Sequence, residues 1–97
     1  MENMFEEVDK TGRQIRLSKE RWSHIRKKHP EVENLESIKE TIKNPDQIKD
    51  YNLDKTIHYY YKYFKNRESP SKYLLIIVKF LNGNGFIITA YFEKQTK

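Results

Sequence analysis

Two neighbouring segments near the C-terminus constrain this chain most, because each is apolar on one side and chemically equipped on the other. In Tyr73–Leu81, the residues Leu74, Ile76, Val78 and Phe80 alternate onto one side and leave Lys79 on the opposite one. In Gly85–Glu93, the same alternation groups Phe86, Ile88, Ala90 and Phe92, with Thr89 and Tyr91 facing the other way. Side chains alternate across a strand, so the two apolar sets can cover one core. Between them lies Asn82-Gly83-Asn84-Gly85, a strong hairpin signal that makes the two segments antiparallel neighbours. Lys79, Thr89 and Tyr91 then meet on the face turned away from the core.

The upstream sequence supplies the cover. Phe5–Val8 and Arg13–Leu17 flank Asp9-Lys10-Thr11-Gly12 and read as a short hairpin. Ser18 is placed to cap a helix over Lys19–Lys28, and Pro30 disfavours helical geometry at His29. The inner stripe of that helix is Trp22, Ile25 and His29, and its outer face carries Arg21, His24 and Lys28. Asn34 can cap a second helix, Leu35–Lys43, which turns Leu35, Ile38 and Ile42 inward. A short strand near Gln47–Tyr51 and a long aromatic strand, Thr56–Phe64, follow the break at Asn44-Pro45-Asp46. The expected fold is α+β: an N-terminal hairpin and two helices packed on one face of a four- or five-stranded antiparallel sheet, the other face free.

At 97 residues, positions 1–97 read as a single domain with room for one core. Nineteen Lys and Arg against fourteen Asp and Glu give a net charge of +5, which suits an anionic partner such as nucleic acid. There is no cysteine, so thiol catalysis, disulfides and Cys-based zinc sites are excluded. No long apolar run is present, so no membrane association is expected, and the expected compartment is the cytoplasm.

The aromatic strand carries His58-Tyr59-Tyr60-Tyr61-Lys62-Tyr63-Phe64. Alternation separates Ile57, Tyr59, Tyr61 and Tyr63 from His58, Tyr60, Lys62 and Phe64. The first set is expected to line the core edge. The second brings His58, Tyr60 and Lys62 to Lys79, Thr89 and Tyr91 on the free face. Aromatic rings interleaved with cations on a sheet hold single-stranded RNA by stacking and phosphate neutralisation. The competing reading is a tyrosine-rich strand selected for β-propensity alone. His24 with Arg21 and Lys28 reads first as a solvated helix face and second as RNA contacts. His29 ends its helix, where the carbonyl end of the dipole suits a cation, and reads either as a cap or as a proton donor at the site.

No metal site is expected, since His24 and His29 are five apart and the free face carries no carboxylate before Glu93. With only Gly12, Gly83 and Gly85, no dinucleotide or phosphate-loop motif exists, and no cofactor is expected. A His–Tyr–Lys–Thr face suits RNA cleavage in which the 2′-OH attacks its own phosphate. The protein then supplies only a proton acceptor, a cation and a proton donor.

The ordered set Leu17-Ser18-Lys19-Glu20-Arg21-Trp22-Ser23-His24-Ile25, Lys28-His29-Pro30-Glu31, Asn44-Pro45-Asp46, Tyr60-Tyr61-Lys62, Tyr73-Leu74 with Val78-Lys79, and Phe86-Ile87-Ile88-Thr89-Ala90-Tyr91 resembles the phage barnase–EndoU–colicin–RelE-like nucleases, a branch of the BECR-fold endoribonucleases. The resemblance implies a barnase-like fold, cleavage of RNA without a metal, and a setting as a toxin or phage-associated effector. It implies a site of His24, His29, Tyr60, Lys62, Lys79, Thr89 and Tyr91; the residues themselves add His58 as a catalytic candidate and Arg21 and Lys28, with His24, as RNA contacts. Where relatives are expected to place an arginine in the aromatic strand, this chain has His58.

The expectation is therefore a metal-independent endoribonuclease whose partners are RNA and a small antitoxin protein. Two alternatives use the same face: a non-catalytic RNA-binding module and a protein-interaction module.

Overall fold

The computed structural model describes residues 2–96. In chain order the elements are β1 (Asn3–Val8), β2 (Gln14–Ser18), α1 (Lys19–Lys28), α2 (Leu35–Lys43), β3 (Gln47–Tyr51), β4 (Asp54–Tyr63), β5 (Tyr73–Leu81) and β6 (Asn84–Glu93). The caps act as their side chains require. The Ser18 hydroxyl accepts from the Arg21 amide, and the Asn34 side chain accepts from the Glu36 amide. Asn82 and Gly83 both adopt positive φ, 53° and 82°, as a two-residue turn between β5 and β6 demands.

The sheet is larger than expected and mixed. Its six strands run β1-β2-β6-β5-β4-β3, and β2 pairs with β6 in parallel while every other neighbouring pair is antiparallel. The N-terminal hairpin is thus part of the sheet and does not pack on it. Parallel pairing is brief, Ile15 with Gly85 and Arg16 with Phe86. α1 packs on β6, β2 and β1, while α2 packs on β5, β4 and β1. One cluster joins both helices to the sheet: Ile25, Ile38 and Ile42 meet Ile15, Leu17, Leu74, Ile76, Val78 and Ala90.

Two parities depart from the alternation read in the sequence. In β6, Ile88 is a bulge: Ile77 pairs with Thr89 but Val78 pairs with Ile87. Gly85 and Ile87 therefore face the core before the bulge, Ala90 and Phe92 after it, and Phe86 turns outward at 38% exposure. Phe86 and Ile88 do not belong to the core set. A Cβ on Gly85 would lie 2.8 Å from the Phe80 ring and 2.9 Å from Ile15, so only glycine fits there. In β4, His58, Tyr60 and Lys62 pair with Val78, Ile76 and Leu74, which places them on the helix side. Ile57, Tyr59, Tyr61 and Tyr63 pair with Lys79, Ile77, Leu75 and Tyr73 and occupy the other face. The expected orientation of the aromatic strand is inverted.

Asp9 accounts for the inversion. Its carboxylate is buried in the β1–β2 turn, where it accepts from the Tyr60 hydroxyl, the Thr11 amide and hydroxyl, and the Arg13 amide. Burial alone would raise the Asp9 pKa, but these donors outweigh it and hold the carboxyl below its usual range. Burial, then the bond to Asp9 and its charge, push the Tyr60 phenol far above its usual value of 10. Tyr60 is a neutral structural donor.

Candidate functional site

The face turned away from α2 carries three rows of cross-strand neighbours. The first is Gln47, Tyr61, Leu75 and Tyr91; the second is Lys49, Tyr59, Ile77 and Thr89; the third is Ile57, Lys79, Phe86 and Arg16. α1 delivers one more group. Its C-cap, His29, reaches round the edge of β6 and sets its ring edge-on to Tyr91, with centroids 5.0 Å apart. The cap is rigid, because the His29 amide donates to the Ile25 carbonyl at 2.7 Å and its own carbonyl accepts from Val32. The His29 Nδ1 atom lies 3.9 Å from Glu31.

Lys79, Thr89, Tyr91 and His29 therefore lie on or at the rim of the expected face, but not in one cluster. Thr89 and Tyr91 are two residues apart, about 7 Å along β6, and His29 adjoins Tyr91. Lys79 stands four residues from Leu75, about 13 Å down the sheet from the Tyr91 row. Its Nζ is 3.6 Å from Asp54. Asp54 is held below the usual carboxylate range first by its bonds from Thr56 and then by the Lys79 charge.

Three expected site residues serve the fold on the opposite side. Tyr60 is fully buried against Asp9. The Lys62 ammonium donates to the Asn44 carbonyl at 3.0 Å and so caps the C-terminal end of α2. His58 sets its ring edge-on to Phe80 at 5.1 Å, with Nδ1 3.3 Å from Asp50. Arg21, His24 and Lys28 are exposed along α1 as expected.

Tyr59, Tyr61 and Lys49 take the vacated places. Tyr59 stacks on Tyr51 at 5.8 Å and meets Tyr61 edge-on at 6.5 Å. The Lys49 Nζ lies 5.9 Å from the Tyr61 ring centre. The face is also less open than expected. Tyr61 and Leu75 are fully buried on it, and the chain beyond β6 crosses towards β3, where the Thr96 hydroxyl is 3.4 Å from Lys49 Nζ. Neither face of β4 is marked in its own sequence, since both sets are aromatic and polar. Arg16 was legible: with Ile15 and Leu17 inward, it must face as Lys79 does.

The resulting surface offers a histidine, phenols, a threonine hydroxyl and two lysines, and among the described residues no group of three His, Asp or Glu side chains is arranged to ligate a metal. Among the described residues no helix is long and apolar enough to cross a membrane. No family model matches this sequence, and no curated protein or solved structure matches it either.

Proposed function

We propose that this chain is a metal-independent endoribonuclease of the phage barnase–EndoU–colicin–RelE-like group, with a barnase-like arrangement of helices on a sheet. The single observation that carries this reading is the His29–Tyr91 ring contact beside Thr89, on a face that Tyr59 and Lys49 share. An RNA phosphate set against this trio meets two groups able to exchange protons and a hydroxyl able to donate. The 2′-oxygen attacks phosphorus and its proton passes to the unprotonated ring nitrogen of His29, while the Tyr91 hydroxyl gives its proton to the departing 5′-oxygen, leaving a 2′,3′-cyclic phosphate and a 5′-hydroxyl. Thr89 donates to a non-bridging oxygen, and Tyr59, two strands away in the same row, stacks a neighbouring base, while Lys49 at the far end of the row meets a flanking phosphate. His58, Tyr60 and Lys62 have no part in this chemistry.

The test is incubation of purified protein with total RNA in EDTA. Cleavage that persists and yields 2′,3′-cyclic phosphate ends supports the reading, and its loss on chelation overturns it. A toxin setting with a small antitoxin partner further requires that overexpression arrest growth. The 13 Å estimated between Lys79 and the Tyr91 row favours a second reading, a non-catalytic RNA-binding surface. That reading requires salt-sensitive binding of RNA without cleavage.

A further inference from the structure

Resting on the proposal that RNA is the ligand, we infer that the groove beside Phe86 is a separate subsite for an unpaired nucleotide flanking the cleaved bond. Arg16, Phe86 and Lys79 are direct cross-strand neighbours on β2, β6 and β5, so the outward ring sits between two cations. Cβ atoms of such neighbours lie about 5 Å apart, close enough for one nucleotide to span the row. The Ile88 bulge creates this arrangement, because without it Phe86 would turn into the core. The ring borders a groove of about 590 Å³ that Arg21, Leu81 and Ile88 also line.

Carboxylates engage two of the three cations and leave the third to a phosphate. Glu6 engages only the Nε atom of Arg16, whose guanidinium carbon is 5.8 Å from the Phe86 ring centre. Asp54 holds Lys79. The Arg21 guanidinium has no carboxylate partner among the described residues, although Glu20 also borders the groove. An exposed aromatic ring with cations on both flanks takes a splayed base and its phosphate, which duplex RNA does not offer in its stacked interior. Lys79 is too far from His29 and Tyr91 to share their phosphate, and this subsite gives it a role.

Fluorescence anisotropy with a labelled single-stranded 2′-O-methyl oligonucleotide, which cannot be cleaved through its 2′-oxygen, tests this on the whole chain. Phe86→Ala should weaken binding about tenfold, within the range of base stacking on an aromatic ring, and Phe86→Tyr should restore it. Arg21→Ala should lower the salt slope by about 0.7. Leu53→Ala, 84% exposed on the β3–β4 turn, serves as the control. Wild-type binding that is indifferent to Phe86→Ala overturns the subsite and leaves the proposed function standing. A wild-type chain that binds no oligonucleotide overturns both. Tighter binding of an acidic polypeptide than of the oligonucleotide at equal salt reassigns the groove to a protein partner.

Discussion

Tyr60 and Tyr61 are adjacent in the chain and both fully buried, yet they belong to opposite faces of the sheet with different physics. Tyr60 lies under the helices, where Asp9 fixes its hydroxyl and burial keeps it neutral. Tyr61 lies beside Tyr59 and Lys49, whose ammonium the Thr96 hydroxyl also approaches. The helix side uses its polar groups to close the fold, each satisfied by a partner within the chain. The far side also contributes to the fold, since Tyr61 and Leu75 are buried on it, and it carries the rings and cations proposed to meet RNA. A titratable side chain in an aromatic strand is therefore a poor guide to function until its face is known.

That contrast breaks most visibly at Asp9. Asp9→Ala removes the acceptor for Tyr60, Thr11 and Arg13 and leaves a buried phenol without one, which should cost about 3 kcal/mol in denaturant unfolding. A loss below about 0.5 kcal/mol would deny the network a structural role. Gly85→Ala should cost about 2 kcal/mol, because Phe80 and Ile15 must yield to the added methyl. Tyr60→Phe is milder, about 1 kcal/mol, and it carries a pH signature.

The sign of that signature follows from the two shifts. The folded state lowers the Asp9 pKa, so its contribution is complete above the unfolded value of 3.8 and is lost as pH falls through the folded one. The folded state raises the Tyr60 pKa, so its contribution is complete below the unfolded value of 10 and fades as pH rises beyond it. Stability of the native chain should thus be level between these limits and fall on both sides. Tyr60→Phe should remove this residue's alkaline loss, and thermal melts across pH would show it. Smallest of all, Lys62→Ala should cost about 0.5 kcal/mol through the α2 carbonyl end, with RNA cleavage unchanged.

The α+β class and the order of the elements were legible. Ser18, Asn34 and Asn82-Gly83 placed the helices and the last hairpin, because caps and tight turns are decided locally. What escaped was decided at a distance. Tyr60 takes its side because Asp9, 51 residues earlier, offers an acceptor. Phe86 turns outward because Gly85 packs against Ile15 and Phe80, which the bulge at Ile88 permits. The parallel pairing of β2 with β6 enlarges the sheet through contacts between the two ends of the chain. Of the expected site residues, His29 and Tyr91 come together, Thr89 and Lys79 share the face of Tyr91, and His58, Tyr60 and Lys62 fell with the orientation of β4.

The two histidines at stake lie on opposite sides of that division, and comparing them tests it most directly. RNA cleavage in EDTA should fall at least about 100-fold in His29→Ala, as expected for loss of a proton-transfer group, and stay within about threefold of wild type in His58→Ala. Equal loss in both variants, or loss in His58→Ala alone, would contradict the assignment of function to the face of Thr89 and Tyr91.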